Sequence, residues 1–396
     1  MLNQRLETLR DSPFRRLADL IADVTPRINA APIDLSVGEP QHQPPAFIHE
    51  VMARHNDSWN RYPPLNGTPE FRAASAAWLR RRYGLPAGMI DADTMITPCA
   101  GTREGLYMAA TLAVSAEDGA PPVAFMPNPF YQIYVGAAVL AGAEPRFMAA
   151  TRETGFLPDL AALAPEALTR ARLMYLCSPA NPQGAVAELD YLKRALSLAR
   201  AHDFLLVMDE CYAEIYNGDT PPTGALEAAA ALGGGLDNLL VFHSLSKRSS
   251  APGLRSGFAV GAPRTIALLH RLRTYSCAAT PVATLAAATA LWQDEAHVVE
   301  TRAAYRAKFD LAERLLGGRF GFYRPAGGFF LWLEVGDGEA ATRRLWAEAG
   351  VKALPGAYLT RPDAEGRNAS DGYIRLALIG DLDSTEAALE RVAAVL

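Results

Sequence analysis

Ser244-Leu245-Ser246-Lys247-Arg248, with Arg255 eight positions beyond the lysine, gathers two hydroxyls, an amine and two guanidinium groups within twelve residues. An apolar run, 238–242 (NLLVF), ends just before them. Nearby positive charge disfavours ammonium, so such an amine is more readily available as a nucleophile. Two serines and an arginine can hold a phosphate dianion beside it. An amine next to a phosphate nest is what a phosphorylated aldehyde cofactor requires. A loop lysine read alone is more often a solvated surface group, so the remaining segments must decide.

Three other apolar runs end on polar residues in the same way. Residues 204–208 run into Asp209-Glu210-Cys211-Tyr212, and 173–176 lead to Ser178-Pro179-Ala180-Asn181-Pro182-Gln183-Gly184. Residues 95–97 precede Gly101-Thr102-Arg103 at the start of a helical pattern. Each has a bland reading: Asp209 and Thr102 can cap helices, and 181–184 can be a plain turn. Four such endings together point to one shared edge, because open α/β sheets collect ligands at the carboxyl ends of their strands.

The elements that must position these groups are legible in outline. Short apolar runs at 95–97, 122–126, 145–148, 173–176, 204–208, 238–242 and 257–260 alternate with helix-length stretches such as 104–114 and 187–201. This predicts an α/β layer structure with a mostly parallel, seven-stranded sheet covered on both faces. Beyond Trp292 the pattern changes to a charged helix over 294–316, a strand over 329–335, a helix over 339–349 and a strand over 373–378. The expected organisation is an N-terminal arm (1–45), a large α/β domain (46–292) and a smaller α+β domain (293–396), with the arm completing the small one.

Composition narrows the class. Half of the 396 residues are hydrophobic and a fifth are charged, a globular balance. A net charge of −5 offers no electrostatic case for nucleic acid or an anionic membrane surface. The least polar stretch, 280–292, is too short to span a bilayer. The first residues lack an apolar signal core. Four scattered cysteines without a CxxC suggest neither a zinc site nor a disulfide framework. A cytoplasmic protein with no metal is expected.

Taken in chain order, these motifs resemble the fold-type I, pyridoxal-phosphate-dependent aminotransferases of class I/II over nearly the whole length. The resemblance implies that Lys247 holds the cofactor's aldehyde covalently and later shuttles the proton. It implies that Asp209 pairs with the pyridine nitrogen, while Tyr212 and Asn181 bond the ring oxygen. Ser244, Ser246 and Arg255, with backbone N–H groups at Gly101 and Thr102, would form the phosphate cup. Tyr131, within Asn128-Pro129-Phe130-Tyr131-Gln132-Ile133-Tyr134, would stack on the ring. Tyr62 would reach the phosphate of a neighbouring subunit, implying a homodimer with shared active sites. Arg375, within Gly372-Tyr373-Ile374-Arg375-Leu376-Ala377-Leu378, would bind the substrate α-carboxylate, with Asn181 beside it and the Gly38 backbone close by. Read without the family, Arg375 could equally be an edge-strand arginine facing water.

Within the class, several phrases resemble the bacterial N-succinyldiaminopimelate aminotransferases: 36–40 with 44–48, 128–134, 209–216, 244–249 with 252–257, and 294–298. The implied reaction exchanges an amino group between N-succinyl-L,L-2,6-diaminopimelate and 2-oxoglutarate. The rivals are an aminotransferase for aspartate, alanine or aromatic donors, and a carbon–sulfur lyase on the same fold. A regulatory module would need a DNA-binding segment ahead of residue 46, where no basic helix-turn-helix pattern occurs. Arg103, Arg248 and Arg273 are the candidates for the distal end of the substrate, and none is assigned.

Overall fold

The structure, a computed structural model, describes residues 2–115, 119–363 and 365–396. Its main sheet has the seven expected strands, ordered Ile96–Cys99, Gly257–Gly261, Leu239–Ser244, Leu205–Asp209, Ala171–Cys177, Val123–Asn128 and Glu144–Ala149. Residues alternate between two cores along each strand, as period-two side chains must when both faces are covered. Leu206, Met208 and Val241 join one core with Phe71, Trp78 and Trp292. Val207, Leu240 and Phe242 join the other with Leu106, Tyr134 and Tyr175. Each such fully buried large side chain contributes about 1.5–3 kcal/mol over its exposed state.

Gly257–Gly261 is the exception in direction, running antiparallel to both neighbours. The other six strands are mutually parallel and end at one edge; the seventh begins there. Register makes this concrete, because Cys99 and Ser244 both lie opposite Gly257, and Asp209 is flanked by Phe242 and Cys177. Arg255, two residues ahead of Gly257, therefore arrives at the edge where the parallel strands finish.

A second, antiparallel sheet is ordered Leu354–Pro355, Tyr373–Ala377, Phe330–Glu334. Arg375 sits on its central strand, opposite Trp332 and Leu354, and is 4 % exposed. The water-facing edge position is thereby excluded. Ile33–Asp34 pairs with Val351–Lys352, and the Ala377 N–H donates to Leu35 O, so the segment after the first helix packs onto this layer. The helix expected over 339–349 is α-helical over Gly338–Arg344 and closes as a π turn over Leu345–Ala349. A final helix, Leu382–Val395, lies against Ala296–Leu316. Among the described residues no helix is long and apolar enough to cross a membrane.

Candidate active site

A cavity of about 510 Å³ opens at the shared strand edge. Thr102, Tyr131, Asn181, Asp209, Tyr212, Ser244, Ser246, Lys247, Arg255, Gly38 and Arg375 all line it. Gly101 stands behind the wall, where a Cβ would lie 2.6 Å from an Arg255 nitrogen; at φ +77° only glycine is at ease. Tyr62 does not reach the cavity of its own chain.

Ser244 ends its strand and caps the short helix Leu245–Arg248, its hydroxyl accepting from the Ser246 N–H at 3.1 Å. That turn carries Lys247, and the next two residues pin it. Arg248 is buried, donates to Leu291 O at 2.6 Å and to Asp294 O and Glu295, and lies over the Trp78 and Trp292 rings. Ser249 Oγ is 2.8 Å from His297 Nε2, whose Nδ1 is 2.5 Å from Asp294 Oδ2. The 294–298 phrase thus reaches back to the lysine turn. Burial holds His297 below the ordinary histidine pKa, so the neutral ring can donate to Asp294 and accept from Ser249.

The Lys247 amine donates to Gly38 O at 2.5 Å. Its pKa is lowered first by burial, with Arg375 adding to the effect, against Cys211, Glu39 and Asp209. This corrects the expectation that the flanking Arg248 and Arg255 are the cause: desolvation leads, and the contributing cation is Arg375. Gly38 has its own steric reason for lacking a side chain, since a Cβ would meet the Phe330 ring at 2.7 Å.

Asp209 is buried, and burial raises its pKa. Two donors oppose that: the Tyr134 hydroxyl at 2.8 Å on Oδ2 and the Cys211 N–H at 3.3 Å on Oδ1. Tyr134 is a site residue that the sequence reading left unassigned. Its only signal was a second tyrosine three positions after Tyr131, one helical turn on. Tyr131 itself accepts from Arg103 Nε at 2.9 Å. Tyr212, buried against Phe329 and Phe330, has its pKa raised by that burial.

Arg375 donates to Ser36 O at 2.6 Å and Asn181 Oδ1 at 3.1 Å, with its guanidinium 4.4 Å over the Phe330 ring. Among the described residues its buried Nε has no partner. Arg255 donates to the carbonyls of Ala100 and Pro252. Among the described residues, no carboxylate pairs with Arg255, Arg375 or Lys247. Three cations facing one cavity without acid partners, beside the N-terminus of the helix Thr102–Ala113, suit an anionic ligand at each end. Of the candidate distal arginines, Arg248 and Arg273 are buried outside the cavity lining, Arg273 donating through one nitrogen to Leu65 O and Thr97 Oγ1. Arg103 lines the cavity.

An open α/β sheet with a lysine, a buried carboxylate and a cluster of hydroxyl and guanidinium donors at its carboxyl edge is the arrangement of a fold-type I, pyridoxal-phosphate-dependent enzyme. The chain belongs to the aminotransferase class I and II family, whose profile matches residues 30–392. It is 31% identical to an LL-diaminopimelate aminotransferase of Syntrophobacter fumaroxidans, over 98% of this chain and 97% of that one. Among solved structures it is similar to an aminotransferase from Neisseria meningitidis at 37% identity and TM-score 0.94, covering 99% of both chains. It is also similar to a probable N-succinyldiaminopimelate aminotransferase from Thermus thermophilus at 25% identity and TM-score 0.84, covering 97% of this chain and 100% of that one. The protein is an aminotransferase and depends on pyridoxal phosphate, as its family does. Amino acids and 2-oxo acids are its substrates. The residues present fit that cofactor: Arg255, Ser244, Ser246 and Thr102 offer donors for a phosphate, and Asp209 offers an acid for a ring nitrogen.

Proposed function

We propose that the enzyme transaminates N-succinyl-L,L-2,6-diaminopimelate with 2-oxoglutarate, a step of diaminopimelate and lysine biosynthesis in the cytoplasm. The observation that carries this reading is the size and lining of the cavity. Beside Arg375 its lining includes Phe156, Leu157, Pro158, Tyr191, Pro13 and Phe14, and a volume of about 510 Å³ has room for an amino acid with a long tail. The sequence phrases shared with that subfamily agree, as do relatives named for diaminopimelate.

In this reading Arg375 takes the α-carboxylate in a two-pronged contact, and Asn181 fixes the guanidinium plane. Bound pyridoxal phosphate supplies the electron sink that makes the substrate's α-proton acidic. Lys247 would anchor it and, its basicity lowered by burial, would move that proton. Asp209, held by Tyr134, would pair with the ring nitrogen. Tyr212 and Asn181 would bond the ring oxygen, Tyr131 would cover the ring, and Ser244, Ser246, Arg255 and Thr102 would hold the phosphate, whereas the Gly101 N–H expected there donates to Cys99 O at 2.7 Å. The Gly38 carbonyl orients the amine. The functional partition follows the arm, 46–292 and 293–396. Two subunits share their sites: Tyr62 is 102 % exposed on a loop pinned by Arg273 and Arg72, which donate to Leu65 O and Gly67 O. It is presented to a second copy.

A second reading, with free L,L-diaminopimelate as the amino partner, is favoured by the naming of the 31% identical relative. Purified enzyme offered succinylated and free diaminopimelate, glutamate, aspartate, alanine and aromatic donors separates the two. The first reading expects the highest kcat/KM with the succinylated donor, and a preference for any other donor rejects it.

A further inference from the structure

Lys308, in the helix Ala296–Leu316, is 1 % exposed. A lysine that deep is costly to desolvate and is seldom found without partners. Its amine donates to Leu378 O at 3.1 Å and lies 2.6 Å from His42 Nε2, and among the described residues no carboxylate is in ion-pair contact with it. An ammonium donating to a neutral imidazole serves both contacts and leaves the ring N–H on Nδ1. The surroundings select those states. Burial first, then Lys308, holds the His42 pKa down at about 4, against a hydrogen bond with the Gly380 backbone. Burial lowers that of Lys308 to about 8, with Asp381 opposing. The Tyr305 ring packs on both groups, its centroid 4.9 Å from that of His42 and 4.7 Å from the lysine amine, and burial keeps its own hydroxyl protonated.

The two acceptors belong to two segments that hold the site. His42 lies four residues beyond Gly38, whose carbonyl takes the Lys247 amine. Leu378 lies three residues beyond Arg375, at the exit of its strand. Backbone bonds already join these segments: the Gln41 N–H donates to Ile379 O at 3.2 Å, and the Ala377 N–H to Leu35 O at 2.7 Å. Lys308 adds a side-chain tie between them from the helix behind. Tyr305 also stacks on Phe329 at 5.4 Å, and the Lys247 amine lies 5.4 Å from the same Phe329 ring. Two stacked rings thus link the two lysines.

We propose that Lys308 is a positioning residue for the transamination: by donating to His42 and Leu378 together it clasps the segment 36–42 to the strand of Arg375, and so keeps the proton-moving amine and the carboxylate-binding guanidinium in register. The inference rests on the roles proposed for Lys247 and Arg375, and not on the choice of donor. Lys308 does not line the cavity, so it acts only through the backbone it holds.

The test uses holoenzyme and single turnovers with glutamate. Lys308→Met should keep its full complement of pyridoxal phosphate and melt within about 5 °C of the unmodified enzyme, because an apolar side chain suits a buried site. Its maximal rate should fall about tenfold, with the half-saturating glutamate concentration changed by less than about threefold. His42→Leu breaks the clasp from the other side and should do the same. The double variant should also lose about tenfold, not about a hundredfold, since either change alone opens the clasp. His42→Gln, which keeps an acceptor, should retain about half of the rate. The advantage of the unmodified enzyme over Lys308→Met should shrink as pH rises through about 8, where the ammonium gives up its charge. Amide exchange over 36–42 should quicken in Lys308→Met. An unchanged rate, multiplied losses in the double variant, or a loss that only follows cofactor content overturns the proposal. Turnover by Lys247→Ala would remove the roles on which it rests, whereas unchanged exchange over 36–42 would reject the clasp itself.

Discussion

Tyr134 supports Asp209 from the side away from the strand's own backbone, its hydroxyl donating to Oδ2 across 2.8 Å. The tyrosine is buried and stacked on Tyr175, with ring centroids 4.6 Å apart, so the donor has little freedom to leave. Removing it should raise the carboxyl pKa further, because burial already pushes in that direction. An acid with a higher pKa loses its charge at higher pH. Tyr134→Phe should therefore move the acidic limb of the kcat/KM profile to higher pH and lower kcat by roughly tenfold. An unmoved limb would show that Asp209 is held by other means.

Asp209→Ala should still bind pyridoxal phosphate through Lys247 and the phosphate cup, yet react slowly. Single-turnover rates with glutamate, followed by the cofactor's visible absorbance, should fall by at least about 100-fold. Rates equal to those of the unmodified enzyme would refute the ring-nitrogen role.

Lys247→Ala should abolish the visible band of the covalently held cofactor and reduce turnover by about 10⁴-fold or more. Borohydride trapping and peptide mapping check the attachment point independently. A pyridoxyl label on any other residue would remove the basis of the mechanism.

Arg375→Ala should weaken amino donors and 2-oxo acids alike, by roughly 2–3 kcal/mol, or about 30- to 150-fold. Both classes present the same carboxylate. Loss of affinity for only one of them would contradict a common site, as KM values measured for each half-reaction will show.

Glu210 gives a stability prediction outside the cavity. It accepts from Tyr83 OH and from the Ala225 N–H, each at 2.7 Å, and burial raises its folded pKa to about 7 against 4.5 when unfolded. Between those values the folded state binds more protons than the unfolded one. Stability contributed by this group is complete below about 4.5 and is lost as pH rises through about 7. Glu210→Gln should flatten the fall in thermal midpoint over that window. A decline as steep as in the unmodified protein would assign it to other groups.

The seven strands were legible because each is a short apolar run closed by polar or turn residues, the signature of a strand buried on both faces. Lys247, Asp209 and Arg255 were legible because their residue types were already those the chemistry needs. Strand direction was not: nothing in Gly257-Phe258-Ala259-Val260-Gly261 marks it as antiparallel. Tyr134 was hidden because a tyrosine on an apolar helix face reads as core, which it also is. The cause of the lysine's altered basicity was misjudged, since neighbours in sequence were visible and depth of burial was not. Pro13, Phe14 and Leu359 line one cavity only through packing of segments more than 300 residues apart.

Ser36 O and Gly38 O, two residues apart on one stretch of backbone, accept from Arg375 and Lys247 respectively. The stretch is in effect a ruler, setting how far the carboxylate grip stands from the nitrogen that moves the proton. Every amino acid shares that gap, whatever its side chain. Redesign toward a new donor can therefore leave residues 36–38 untouched and rebuild only the far wall.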